Sequence, residues 1–206
     1  MISTNSKNIK SGIDVSIPVD NKRDSGKMGR HYHEEMSKHL PMQKGRGPDV
    51  KRAGVEIKTK QQHSTAPNTQ CSMKRQRITD TPYDRSLMHD KMQKQLRAII
   101  DSNNGEIAKE TLLDMSDPDI QDVLRDEYEA CRAKIAAGAT GTVKALSGGW
   151  VIMEHLPKKD QFKIRISNKG MKTIENIAQR DHNAWDAIFP ANYGTGGTTD
   201  LGSVAR

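Results

Sequence analysis

The segment Pro48-Asp49-Val50-Lys51-Arg52-Ala53-Gly54-Val55-Glu56-Ile57-Lys58-Thr59-Lys60 constrains the fold of this 206-residue chain more than any other. Val55, Ile57 and Thr59 alternate with Glu56, Lys58 and Lys60, and a period of two belongs to a strand with one face turned to a core. Ala53-Gly54 supplies a turn that folds Pro48-Asp49-Val50 back alongside that strand and brings Asp49 next to Glu56. Glu56 and Lys58 then share the outer face, with Cα atoms roughly 6.6 to 7 Å apart. Such a hairpin commits the chain to a sheet, and apolar stripes at helical spacing elsewhere make it an α/β protein.

Two carboxylates converging beside a lysine form a hard-cation site, in which oxygen ligands suit Mg²⁺. Asp49 and Glu56 are the candidate ligands, with Lys58 reaching the neighbouring water or phosphate. A plainer alternative makes Glu56 and Lys58 the solvated face of an edge strand, where charge discourages aggregation.

Pro48-Asp49 followed by Glu56-Ile57-Lys58 resembles the two halves of the motif of the PD-(D/E)xK nuclease superfamily. The resemblance covers about Met28 to Lys60. Its seven-residue step from Asp49 to Glu56 is most similar to the branch holding the methyl-directed mismatch-repair nicking endonuclease and its restriction-enzyme relatives. In that branch a glutamate on the helix before the motif completes the site. Tyr32, Met36 and Leu40 recur every fourth residue as one apolar helix face, which makes Glu35 on its border the candidate and Glu34 the fallback.

The resemblance implies a restriction-endonuclease-like mixed sheet flanked by helices and a metal-dependent DNA endonuclease leaving 5′-phosphate and 3′-hydroxyl ends. It implies Asp49, Glu56, Lys58 and Glu35 as catalytic residues. The cation would be Mg²⁺, with Mn²⁺ able to substitute, held by Asp49, Glu56, the Ile57 carbonyl and Glu35. The motif strand is followed by a polar stretch, a departure from the superfamily's usual close third strand.

Charge supports a polyanionic partner. The net charge is +7 and the isoelectric point about 9.4, which favours nucleic acid. Residues 41–80 carry nine Lys or Arg against three acids, so the basic excess surrounds the proposed site. Residues 101–140 reverse the balance, with ten acids against four Lys or Arg, and are expected to face away from DNA. Mean hydropathy is −0.80, so part of the chain is expected to stay unpacked or to lie on a polar partner. The expected partner is duplex DNA, with no membrane and with a homodimer left open.

Two cysteines, Cys71 and Cys131, build neither a disulfide framework nor a four-ligand zinc site. No apolar run approaches the roughly 20 residues of a membrane span, and the first residues lack a signal core; a cytoplasmic protein is expected. His31 and His33, at i and i+2, fall on different helix faces, which suits phosphate contact or plain surface better than a zinc pair.

Residues 1–27 read as a mobile arm, 28–190 as a single nuclease domain, and the glycine- and threonine-rich 191–206 as a flexible tail. Gln61 to Thr81 reads as a long substrate loop, with Lys60, Gln61, Gln62, Ser64, Lys74, Arg75 and Arg77 as DNA-binding residues. Leu87, Met88, Met92, Leu96, Ile99 and Ile100 predict a helix over about Tyr83 to Ser102. Ser116 is the expected cap of a second helix, on Ile120, Val123, Leu124, Tyr128, Cys131 and Ile135, ending at Gly138. Glu106 to Met115 is compatible with helix or strand. Trp150 to Leu156 and Gln161 to Ser167 form a hairpin with Phe162, Ile164 and Ile166 inward. A further helix runs from about Asn168 to Arg180, with a turn near Trp185 to Phe189. The strands of 48–60 and 142–167 are expected to share one mixed sheet.

Overall fold

The structure is a computed structural model that describes residues 25–38, 40, 42, 47–62, 64, 68–101 and 103–178. Most of the expected arm (1–24), the turn near Trp185 to Phe189 and the tail over 191–206 lie outside the described residues.

Helix α1 spans Ser25–Ser37 and buries Met28, Tyr32 and Met36, the fourfold stripe that generates it. Val50 bridges Val55 in antiparallel sense around a short 3-10 turn at Lys51–Ala53. Gly54 closes that turn at φ 65°, a left-handed conformation open to a residue without a Cβ. The expected hairpin therefore forms, and Val55–Gln61 is β1.

Beyond β1 the expected loop gives way to regular structure. Asn68–Lys74 forms β2 and Arg75–Asp80 forms α2. Buried Cys71 and Met73 alternate with exposed Ser72 and Lys74, a strand face built on only two apolar side chains. The helix predicted over Tyr83 to Ser102 also divides, into a 3-10 turn at Tyr83–Arg85, α3 at Leu87–Lys91 and β3 at Lys94–Ile100. In β3 the buried apolar residues are Leu96, Ala98 and Ile100, which is period two, and adjacent Ile99 and Ile100 are stiff at χ1 and favour a strand.

Ile107–Asp114 is β4. Helix α4, Pro118–Ala136, is capped by Asp117, whose carboxylate accepts from the Asp119 amide, and not by Ser116, whose hydroxyl donates to Asp114 at 2.6 Å. Thr142–Lys144, Val151–Leu156 and Gln161–Ile166 are β5, β6 and β7, and Phe162, Ile164 and Ile166 are fully buried as the hairpin pattern required. Asn168–Ile177 is α5. Among the described residues no helix is long and apolar enough to cross a membrane.

These elements form a mixed α/β architecture with two sheets where one was expected. The first has the order β1-β3-β4, with β1 parallel to β3 and β4 antiparallel. The second, β2-β7-β6-β5, is antiparallel throughout. Each owns a core. Val55, Ile57, Leu96, Ala98, Ile100, Ile107 and Leu112 of the first sheet pack on α1, whereas the second sheet packs with α3, α4 and α5. The chain gives β1 to the first sheet, crosses to lay down β2 in the second, and returns through α2 and α3 to β3. That crossing covers the face of β1 turned away from α1.

Candidate functional site

Glu56 projects from β1 on that covered face, beside Gln95 in the parallel register with β3. The sequence reading left this face to solvent; the structure leaves Glu56 only 1% exposed, because β2 and α3 come back over it. A carboxylate removed from water needs countercharge and hydrogen bonds. Lys58 supplies one at 2.5 Å, and Lys91 of α3 reaches both carboxylate oxygens at 2.6 and 2.7 Å. The Lys58 ammonium also donates to the Gln70 carbonyl at 3.1 Å. Two ammonium groups on one carboxylate leave the cluster with a net positive charge. Gln95, fully buried, donates to Gln70 Oε1 at 2.7 Å and to the Lys91 carbonyl at 2.9 Å, tying the supports of both lysines together.

Asp49 occupies the other border of the same strand. The Ile57 amide donates to Asp49 Oδ2 at 2.9 Å, and the Ile57 carbonyl lies 3.4 Å from His33 Nε2. His33 Nε2 is in turn 3.6 Å from Asp49 Oδ2. The Ile57 amide belongs to the peptide unit joining Glu56 to Ile57. The two acids of the motif therefore flank one peptide, Asp49 at the strand edge and Glu56 on its inner face.

Glu35 stands elsewhere on α1. Its carboxylate pairs with Lys38 at 2.6 Å, and it lies two residues, about 200°, around the helix from His33. The residue that α1 presents to Asp49 is His33. Glu34, the fallback acid, is exposed and shares with Gly29, Arg30 and His33 the lining of an open cavity of about 400 Å³.

The proposed DNA-binding residues fall into two groups. Lys60, Gln61, Gln62 and Ser64 lie at the end of β1, where Gln61 reaches Met28 Sδ and the Gln62 amide donates to the Ile100 carbonyl. Lys74 ends β2, and Arg75 and Arg77 follow it in α2. Gln95 touches Gln70 and Arg97 touches Asn68, so β2 runs opposite to β3 and the two groups lie on opposite sides of Glu56. Lys74 is exposed. Arg75 is occupied internally: its guanidinium donates to the Ile135 and Ala139 carbonyls at the end of α4, pairs with Asp160 at 3.1 Å and lies over the Phe162 ring. Its geometry is that of a C-terminal helix clamp.

Lys91, Gln70 and Gln95 escaped the sequence reading. Lys91 stands 35 residues after Glu56, and its one local signal is a charged step, Asp90-Lys91, between apolar Met88 and Met92. Cys71 backs the cluster on β2. Burial pushes its thiol up to about 12 against the pull of Lys58 and Lys91, so it is a neutral packing group at ordinary pH. On the α1 side, burial and then Glu110 hold the Tyr32 phenol far above its usual range, and its hydroxyl donates to Glu110 at 2.6 Å.

Among the described residues no three His, Cys, Asp or Glu side chains are grouped to hold a metal ion. The donors at the strand edge are the Asp49 carboxylate, the Ile57 carbonyl and His33 Nε2. A cation such as Mg²⁺ is commonly bound by one or two protein carboxylates and completes its octahedron with water and substrate phosphate. Glu56, bonded to Lys58 and Lys91 on the covered face, stands apart from these edge donors. In comparison with known proteins, no family model matches the chain and no curated protein matches it.

Proposed function

We propose that the protein is a metal-dependent endodeoxyribonuclease of the PD-(D/E)xK type, with a restriction-endonuclease-like core, acting on duplex DNA with Mg²⁺ or Mn²⁺ and leaving 5′-phosphate ends. One observation carries the reading: Asp49 and Glu56 flank a single peptide of β1, and two lysines close on Glu56. An edge strand decorated at random with charge has no reason to bury its glutamate under two ammonium groups.

The bound cation would polarise the phosphoryl oxygen and lower the pKa of the attacking water. Asp49 and the Ile57 carbonyl orient the donors from a rigid strand edge. Glu56 holds Lys58 and Lys91 in place before substrate arrives. A phosphate entering the site draws an ammonium toward its oxygens, where the charge developing in the transition state is stabilised. Lys60 and Lys74, on either side, contact the flanking backbone phosphates.

A second reading, a non-catalytic basic DNA-binding or packaging accessory protein, rests on the net charge of +7 alone and needs no metal. Incubation of supercoiled plasmid with Mg²⁺, Mn²⁺ or EDTA separates the two. Metal-dependent nicking or linearisation is expected. Binding that ignores metal, weakens steeply with salt and never cuts would replace the nuclease with the accessory protein.

A further inference from the structure

We infer that His33 is a metal ligand, forming with Asp49 and the Ile57 carbonyl a mixed nitrogen–oxygen site that takes Mn²⁺ or Co²⁺ in preference to Mg²⁺. The nuclease reading supplies the purpose of this site, but its donors stand on geometry alone. Two oxygens at the edge of β1, Asp49 Oδ2 and the Ile57 carbonyl, both lie close to His33 Nε2, which in its Nδ1-protonated tautomer is a metal donor. The two separations from Nε2 are 3.4 and 3.6 Å, long for a hydrogen bond. They are close to the edge of a coordination polyhedron, which for metal–donor bonds near 2.1 Å is about 3.0 Å in an octahedron and about 3.4 Å in a tetrahedron. Asp49 Oδ2 is already engaged by the Ile57 amide, yet a carboxylate offers about four lone-pair positions.

The placement of His33 follows from how α1 seats on β1. A Cβ on Gly29 would stand 3.0 Å from Thr59 Oγ1, so the helix approaches the strand closely at that point. One helical turn on, about 5.4 Å, is His33; two strand residues back from Thr59, about 6.6 Å, is Ile57. Helix and strand run in opposite senses with matching steps, and the imidazole is delivered to the Ile57 carbonyl. The Tyr32 hydroxyl bonded to Glu110 locks the rotation of the same turn. His33 also lines a surface cavity together with Gly29, Arg30 and Glu34.

Imidazole decides the metal class. Carboxylate and carbonyl oxygens suit Mg²⁺ and Mn²⁺ alike, whereas a nitrogen donor adds little for Mg²⁺ and favours the first-row transition ions. Glu35, directed to Lys38, is not required by this site.

The test is metal binding to the DNA-free full chain, by calorimetry and by the Mn²⁺ electron-spin signal, for the parent, His33→Ala, His33→Gln and Glu35→Ala. The parent should bind Mn²⁺ more tightly than Mg²⁺. Both His33 variants should lose about tenfold or more in Mn²⁺ affinity, the scale of even an outer ligand partner, while Mg²⁺ affinity stays within about threefold and Glu35→Ala matches the parent. His33 is a partly exposed helix residue, and unchanged circular dichroism in either variant secures the comparison. Mn²⁺ affinity within about twofold of the parent in the His33 variants, loss confined to Glu35→Ala, or no Mn²⁺ binding by the parent would each overturn the assignment. His33-dependent Mn²⁺ binding without cleavage of any DNA would leave the ligand standing and remove the nuclease. Metal-dependent cleavage with His33-independent binding would do the reverse.

Discussion

At the scale of single residues, Glu56 and its two lysines decide whether the motif is chemistry or decoration. Lys58→Ala and Lys91→Ala should each leave the protein folded, though destabilised by about 1–3 kcal/mol, and most DNA binding intact. Each should lower the cleavage rate on the order of a hundredfold, as expected of a group whose interaction is made in the transition state. Either variant cutting within a few-fold of the parent would reduce that lysine to a counterion. Glu56→Gln acts differently, since it leaves two ammonium groups facing one another in a covered site. A loss of about 1–3 kcal/mol is expected in chemical denaturation, with cleavage abolished. The thiols give an independent check on the inner face of β2 and the buried face of α4. Burial raises Cys71 to about 12 and Cys131 to about 11, and the thiolate is the reactive form. At pH 8 neither should react with a disulfide reagent until denaturant opens the fold; prompt labelling of native protein would contradict both burials.

At the scale of elements, the end of β2 and the start of α2 are held by Arg75. Its hydrogen bonds to the Ile135 and Ala139 carbonyls close the C-terminal end of α4, which Gly138 terminates at φ 93°. Removing a charged donor from two such acceptors should cost about 2 kcal/mol, read as a lowered midpoint for Arg75→Ala. DNA affinity should be unchanged if the residue is a clamp and weakened if it is a phosphate contact. The close seat of α1 on β1 makes a second test of element geometry. In Gly29→Val the added side chain must displace Thr59 or lift the helix, and cleavage should fall although neither residue touches substrate in the proposed mechanism.

At the scale of the whole molecule, the two sheets meet across a polar seam: Glu56 with Lys91, Lys58 with the Gln70 carbonyl, Gln95 with Gln70, and Arg97 with Asn68 and Glu175. Lys60 at the end of β1 and Lys74 at the end of β2 lie on its two sides, where the proposed DNA contact would run. DNA affinity should fall linearly with salt on logarithmic axes, and Lys60→Ala and Lys74→Ala should each reduce the slope by about one. Arg75→Ala should leave the slope as it is. Unchanged slopes for both lysines would move the DNA surface elsewhere.

Local pattern alone determined much of this. The period-two run at Val55–Lys60, the left-handed Gly54, the hairpin of β6 and β7, and the long stripe of α4 are short-range consequences of side-chain spacing and turn chemistry, so they were legible in the chain. Asp49 beside the Glu56–Ile57 peptide belongs with them, because the hairpin that joins them is only a few residues long. Where apolar residues were too few or too evenly spread, as at Cys71 and Met73 or through Leu96 to Ile100, the period was ambiguous. There the sheet partners, not intrinsic preference, selected strand over loop or helix. The burial of Glu56, the arrival of Lys91 from 35 residues away, the diversion of Arg75 into the end of α4 and the placing of His33 beside the Ile57 carbonyl belong to tertiary structure. Each depends on how β2 crosses between sheets and on the rotation at which α1 docks, and those are set by long-range packing that no local spacing encodes.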